Sequence, residues 1–468
     1  MSYIVKRKIG NNFYAYEVSS VWDKKKKFPV QKVIRYLGPV DENGKIREKK
    51  RKPLKVLDYG DVVVAKKILD KTLLPSVIKA LPFHDEEKQL IEVMLLNRVV
   101  MPQPDHLLKD WFEGNYLSKI YDISLDSRRI SHLLKRIGRK DINEIYFDVV
   151  RDIVKIKDMV AYDITSIPTS VDLILSEWGR CGNGRSKIIK LAIFFDVKSR
   201  IPIHFRTITG NVQDVSTLTD MVEKMRLCLD GKTRFCAVLD RGFYSKSNID
   251  LLKTLTIDFI IPVPRSTSLF YEMVEKNKDI LKKKNQFLLN GKYNYGIKLK
   301  EQEHFIYIFY SPQKFLHDVE SANRRSELDG NDKNLDKKLM IAGYTVILST
   351  LDKDPEEILK RYYQRYYLEK SYCFLKSRVN MLPIRHHTEE TSLAHIFIST
   401  LSLSLYWILH EKLKSRYSLQ HAFLILRRIK AKIYDENKVF LTEIGKKEKE
   451  ILRMFEISLD LVYKKCGN

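Results

Sequence analysis

KDMVAYDITSIPTS, residues Lys157 to Ser170, is where the chain changes character. The text before it reads as helices. Here an apolar run closes on a carboxylate, Asp163, and polar residues follow, a pattern that predicts a β-strand. Working outward, SKIIKLAIFFD (Ser186 to Asp196) predicts a second strand. After the short turn VKSR, IPIHFRTITG (Ile201 to Gly210) predicts a third, as a hairpin. NVQDVSTLTDMVEKMRLCL predicts a helix. RFCAVLDRGF (Arg234 to Phe243) predicts a fourth strand running into a glycine turn, and KSNIDLLKTL another helix. The order β-β-β-α-β-α predicts antiparallel strands followed by right-handed crossovers. The result is a mixed α/β sheet with helices on its faces.

The flanks differ from this core. Residues 1–58 predict a small β unit, from alternating stretches such as FYAYEV (Phe13 to Val18) and QKVIRYLG (Gln31 to Gly38). They carry 16 Lys and Arg against 6 Asp and Glu, a net +10, and so form a candidate DNA arm. REKKRKPLK (Arg47 to Lys55) reads as a basic linker. Residues 59–157 predict helices and a candidate DNA-binding region. There SRRISHLLKRIG (Ser127 to Gly138) shows a Ser N-cap, an apolar stripe and a closing Gly. That helix is either groove-reading or simply amphipathic. Residues 158–265 and 343–380 make the core. Between them, 266–342 predicts an inserted β-rich subdomain with a polar loop around Ser321 to Lys338, and 381–468 predicts a helical C-terminal region. No internal repeat is present.

At 468 residues and 44% hydrophobic composition the chain can bury several cores. Its formal charge of +25 points to a polyanion, nucleic acid ahead of acidic membrane, with a merely basic surface as the plainer alternative. The five cysteines form no CxxC pair, which argues against zinc ribbons and disulfide frameworks and suits a reducing cytoplasm. No membrane partner is expected. IFISTLSLSLYWIL (Ile396 to Leu409) is too short to span a bilayer and reads as a core helix.

Asp240 has the setting of Asp163: FCAVL, then the acid, then RGF. Each alone could be a turn or cap residue. Two acids at the ends of strands in one sheet are harder to dismiss, because ligands bind beyond the carboxyl ends of strands. A third acid stands in RYYQRYYLEKSYCFLKS (Arg361 to Ser377), which reads as one helix with a single carboxylate, Glu369. On a continuous helix Tyr362, Arg365, Glu369 and Lys376 fall within roughly a 60° arc. Tyr363, Tyr367, Phe374 and Leu375 fall on the other side, as a packing face. An ordinary Arg365–Glu369 i,i+4 pair would give the same spacing. Three carboxylates suit hard cations with oxygen ligands, magnesium first, and a pair of such ions can drive phosphoryl transfer.

These residues resemble a known family. The chain looks like an insertion-sequence transposase of the DDE class with a ribonuclease-H-like catalytic core, and more narrowly like the group with a Tyr-x2-Arg-x3-Glu-x6-Lys signature. Tyr362, Arg365, Glu369 and Lys376 match that spacing, YDITS resembles the first-Asp motif, and DRGFYSKSNIDLL the second. TGNVQD (Thr209 to Asp214) and LPIRHHTEE (Leu382 to Glu390) resemble two further blocks, and a β insertion before the Glu is also a trait of that group. The resemblance implies that Asp163, Asp240 and Glu369 are catalytic and bind Mg2+, with Mn2+ able to substitute. It implies that Tyr362, Arg365 and Lys376 grip the DNA backbone. Arg241 holds phosphate or makes a turn salt bridge. Asn211 and Asp214 are expected to cap the following helix, and His386 and His387 to contact DNA or simply precede a helix.

The activity implied is cut-and-paste transposition in a prokaryotic cytoplasm at the nucleoid. It involves terminal inverted repeats, target DNA and a homodimer in the synaptic complex. The rivals are a structure-selective nuclease on the same core, and a non-catalytic DNA-binding protein derived from a transposase.

Overall fold

The computed structural model describes residues 2–457 apart from 11, 25, 42–44, 47–52, 155–157, 182–183, 214–215, 221, 224–234, 302, 330–334, 380, 382, 414–415 and 436–437. Most of the basic run after Arg47, and Asp214, lie outside the described residues. The chain divides into two compact units, Met1–Leu57 with Lys430–Thr442, and Asp58–Ile429 with Glu443–Asn468.

The first unit holds an antiparallel sheet of β1 (Ser2–Ile9), β2 (Asn12–Asp23) and β3 (Phe28–Val40). Register shifts at Ala15/Tyr16 and Glu17/Val18 mark bulges between β2 and β3, the feature that bends and twists a long ribbon. Only a little of this sheet is buried, around Ala15 and Val18, while Trp22, Phe28 and Ile34 stand in solvent. The cations Arg7 and Lys8 lie over the rings of Tyr16 and Phe13. A second small sheet joins β4 (Lys55–Asp58) to β15 (Lys430–Asp435) and β16 (Lys438–Leu441). The C-terminal region is therefore not wholly helical. The alternation in KAKIYD was the available signal, and its strand partner, 370 residues earlier in the chain, was not legible.

The second unit is built on one sheet: β5 (Met159–Pro168), β6 (Glu177–Cys181), β7 (Gly184–Asp196), β8 (Ile201–Thr209), β9 (Cys236–Leu239), β10 (Asp258–Pro262), β11 (Gln286–Leu289), β12 (Lys292–Lys300), β13 (Phe305–Tyr310) and β14 (Tyr344–Ser349). Its order is β11-β12-β13-β14-β10-β9-β5-β7-β6, with β8 also on β7. β5, β7 and β8 pair antiparallel, whereas β5, β9 and β10 run parallel. This is the mixed sheet expected of a ribonuclease-H-like core. Its centre is dry: Val160, Ala161, Tyr162, Phe194, Val238 and Leu239 have no solvent exposure.

The expected insertion is not a separate subdomain. β13 pairs with β14 and β14 with β10, so β11–β13 continue the core sheet. The stretch expected as a polar loop forms helices Pro312–Asp329 and Leu335–Met340. Pro312 sits at the first helical position, where its missing N–H costs nothing, and the residues after it are good helix formers.

Helix Ser127–Gly138 begins at an Asp126 N-cap, which accepts from Arg128 and Arg129 N–H, not at Ser127. Its last residue is Gly138, where a Cβ would lie 1.9 Å from the Glu390 carbonyl oxygen, so no side chain fits against that backbone. Arg129, Arg136 and Arg139 of this segment pair with Glu86, Glu87 and Glu390. The long helix Glu389–Lys412 is by length and composition able to cross a membrane, longer than the apolar run within it suggested, but 83% of its most apolar stretch is buried inside the fold.

Candidate active site

The register of two parallel strands places the first two acids. Tyr162 of β5 is opposite Leu239 of β9, so Asp163 and Asp240, the next residue of each segment, stand side by side where β9 ends. Only Asp240 lies at a strand end: Asp163 is inside β5, which runs on to Pro168 paired with β7, so the reading that placed it at the end of a strand is corrected. The dry strand segments behind them fix their backbones. Asp163 also accepts from the Ile164 N–H at 2.8 Å.

The third acid arrives on a helix that is not continuous. Helix Pro355–Tyr363 stops, and helix Tyr366–Ser377 starts after Gln364 and Arg365. Across the joint Arg365 N donates to Tyr362 O at 3.2 Å, Tyr367 N to Gln364 O at 3.1 Å and Leu368 N to Arg365 O at 2.9 Å. These i→i+3 bonds are 3-10 geometry, the tighter winding found at functional hinges. The single-helix reading is thus corrected, and with it the packing face. Tyr363 is 43% exposed, and the buried side of the second helix is Leu368, Ser371, Tyr372, Phe374 and Leu375.

That second helix is pinned where it matters. Tyr372 donates its hydroxyl to the Asp163 carbonyl at 2.6 Å. Ser371 accepts from the Trp407 indole at 2.8 Å, and Phe374 stacks on Tyr406 with centroids 4.1 Å apart. Glu369, two residues before Ser371, is therefore aimed at the strand ends. Sequence reasoning missed Tyr372 and Trp407. Both act through contacts distant in sequence, and no local pattern marks them.

The hub of the site is Arg365. Its guanidinium is 3.6 Å from Asp163, 3.3 Å from Asp240 and 2.6 Å from Glu369. The i,i+4 pair is present, but it is one spoke of three. Arg365 also lies over the Tyr362 ring, 5.7 Å from its centroid. The cluster is sheltered at its base and open at its rim: side-chain exposure is 13% for Arg365, 19% for Asp163, 35% for Asp240 and 51% for Glu369. Burial pushes the Asp163 carboxyl up to about 7, with Asp240 and Glu369 adding to the rise, against the opposing pull of Arg365 and the Ile164 N–H. Burial likewise pushes the Tyr362 hydroxyl up to about 12.

The other expected residues are placed differently. Arg241 is exposed beside Asp240, on a 3-10 turn. Lys376 is half-buried two turns along the helix from Glu369. Asn211 is exposed in a turn. His387 is exposed, but His386 is half-buried 3.7 Å from Asp105, and so is not a plain surface histidine.

Asp105, His386 and His395 are the one group of His, Cys, Asp or Glu donors, among the described residues, whose ligand atoms all lie within 4.8 Å of one another. Arg98 occupies it. Its guanidinium donates to Asp105 at 2.5 Å and sits 3.2 Å from His395 Nδ1. Burial holds both histidines below their usual range. It is a buried ion network tying helix Asp85–Val100 to helix Glu389–Lys412.

The family described as "Transposase DDE domain" matches residues 156–405, just over half of the chain. The chain belongs to the DDE transposase family. DDE transposases use divalent metal ions and act on DNA, so DNA is the polyanion that the charge called for. A search of curated proteins found none that matches. Among solved structures, the piggyBac transposase synaptic complex with hairpin DNA is similar at 10% identity over 81% of this chain and 82% of that one, with a TM-score of 0.41. The Drosophila P element transposase strand transfer complex is similar at 13% identity over 76% and 88%, with a TM-score of 0.24.

Do the residues fit a metal? The donor set is all oxygen, three carboxylates on two strands and a helix around one shared cation position. A cluster of three carboxylate oxygen donors fits magnesium or manganese and not the nitrogen- and sulfur-seeking metals.

Proposed function

We propose that this DDE transposase is a cut-and-paste enzyme of the Tyr-x2-Arg-x3-Glu-x6-Lys group. It binds the terminal inverted repeats of an insertion sequence, cleaves at its ends and joins the 3′ hydroxyls to target DNA. The observation that carries this reading is the convergence of Asp163, Asp240 and Glu369 on one guanidinium beside the end of β9.

In this reading the three acids hold Mg2+, with Mn2+ able to replace it. An ion held there would supply activation of the attacking water or 3′ hydroxyl and stabilisation of the leaving oxygen. The chain's own groups do the rest. Strands β5 and β9 hold two ligands rigidly, and Tyr372 and Trp407 keep the helix bearing the third at fixed height. Tyr362, Arg365, Lys376 and Arg241 hold the phosphate backbone by charge-assisted contacts. The basic β1–β3 sheet and the helices of 59–157 add phosphate contacts along the duplex. Two copies pair two ends, and the work is done on DNA in a prokaryotic cytoplasm.

The test is a strand-transfer assay. Duplexes carrying the DNA that flanks the gene on each side are incubated with the protein, a target plasmid and Mg2+. Joined products that vanish with a strong chelator, and that zinc does not restore, are expected. Nicking without joining would make the protein a nuclease on this core, and cleavage in the chelator would remove metal chemistry from the account.

A further inference from the structure

Resting on the reading that Asp163, Asp240 and Glu369 are the metal ligands, we propose that Arg365 is an exchangeable internal cation. Its guanidinium occupies the metal position in the metal-free protein, leaves when a divalent ion arrives, and is then free for a DNA phosphate. One side chain would so couple metal binding to backbone binding.

Three observations carry this. First, the guanidinium touches all three acids, at 3.6, 3.3 and 2.6 Å, so it stands between the groups that a metal must bridge. A hard divalent ion needs oxygens at about 2.0–2.1 Å. A guanidinium in that space would face the ion across van der Waals distance with like charge, and both cannot be housed. Second, the three acids are not a set whose oxygens all lie within 4.8 Å of one another; that property belongs only to the Asp105 group among the described residues. With Arg365 standing between them, the acids would have to close in for a single ion to bridge all three. Third, Arg365 sits where the backbone can let it move. It is the junction residue between helices Pro355–Tyr363 and Tyr366–Ser377, held by 3-10 bonds, and its guanidinium already lies over the Tyr362 ring, 5.7 Å from the centroid, a contact it can keep as it swings from the acids. Coupling of this kind is reciprocal: a phosphate that draws Arg365 out tightens the metal, and a metal that expels it readies the phosphate grip.

The test reads the side chain itself. The full-length protein is treated with phenylglyoxal, which modifies accessible guanidinium groups, with and without Mn2+, and the labelled peptides are quantified by mass spectrometry. Arg361, paired with Asp158 and Glu357 in the preceding helix, is the internal control. Labelling of Arg365 is expected to rise several-fold with Mn2+ while Arg361 stays constant. By calorimetry, Arg365→Gln is expected to bind Mn2+ about tenfold more tightly than the wild type. If Mn2+ binds but Arg365 labelling stays level or falls, the exchange is overturned, and this arm needs no variant to fold. Arg365→Gln binding no tighter than the wild type also overturns it. If Glu369→Gln and Asp163→Asn bind Mn2+ as the wild type does, the acids are not the ligands, and the underlying reading falls together with the exchange.

Discussion

Asp163→Asn tests the physical state of the site before any DNA is added. The Asp163 carboxyl sits at about 7 in the folded protein against an ordinary value of 3.8, chiefly because it is buried. A raised acid favours the folded state while it is protonated. Its contribution is complete below about pH 4 and is lost as the pH rises through about 7. The slope is about 1.4 kcal/mol per pH unit across that window. From pH 5 to pH 8 the metal-free wild type therefore loses roughly 3 kcal/mol from this one group. Asparagine has the same shape, keeps an oxygen for the Ile164 N–H, and does not titrate. The attraction to Arg365 needs no separate allowance, because its pull is already contained in the value of about 7. The unfolding free energy of the variant relative to wild type should thus improve by roughly 3 kcal/mol between pH 5 and pH 8. Urea unfolding in chelator, followed by tryptophan fluorescence, measures this. Adding Mg2+ at pH 8 should stabilise the wild type and leave the variant nearly unmoved, since a ligand stabilises only the state that binds it. A variant whose deficit is the same at pH 5 and pH 8 would refute the argument that burial governs this carboxyl.

Two further outcomes are expected. Tyr372→Phe removes the hydroxyl that ties the Glu369 helix to the Asp163 carbonyl. It should lower stability by about 1–2 kcal/mol in urea and reduce strand transfer by more than it reduces DNA binding. Replacing the exposed Lys24, Lys26 and Lys32 of the basic sheet with Gln should flatten the plot of log K against log salt by up to about 1 per lysine. An unchanged slope would move the phosphate contacts away from β1–β3.

Much of the core was legible because strands announce themselves when an apolar run ends in a charge. The apolar runs before Asp163 and Asp240 do become adjacent parallel strands, although the first runs past Asp163 to Pro168, and the hairpin after Ser186 forms β7 and β8. What periodicity could not carry was partnership. β11–β13 looked like an insertion because their alternation breaks the α/β rhythm, yet they extend the sheet through β14. Lys430–Asp435, which pairs with Lys438–Leu441 on one side, pairs on the other with a strand near residue 55, a contact that no local window contains. The helix of Arg361 to Ser377 has no Gly or Pro to mark a break. Its 3-10 joint arises because the first half packs over β11 and β12 while the second packs on β5 and on helix Glu389–Lys412. The placement of Arg365 between three acids was likewise beyond a wheel diagram, which shows a stripe but not what faces it.

The most direct measurement is made on Glu369→Gln, assayed side by side with the wild type for binding of end DNA and for joining of that DNA to a target in Mg2+. Gln keeps the size and helix propensity of Glu and removes only the charge a metal needs. The side chain is half exposed and off the packing face, so the protein should fold. Binding should persist or tighten slightly, because an anion beside phosphate has gone, while cleavage and joining fall to background. Joining by Glu369→Gln at close to the wild-type rate would show that the glutamate is not a ligand, and the three-carboxylate site would be wrong.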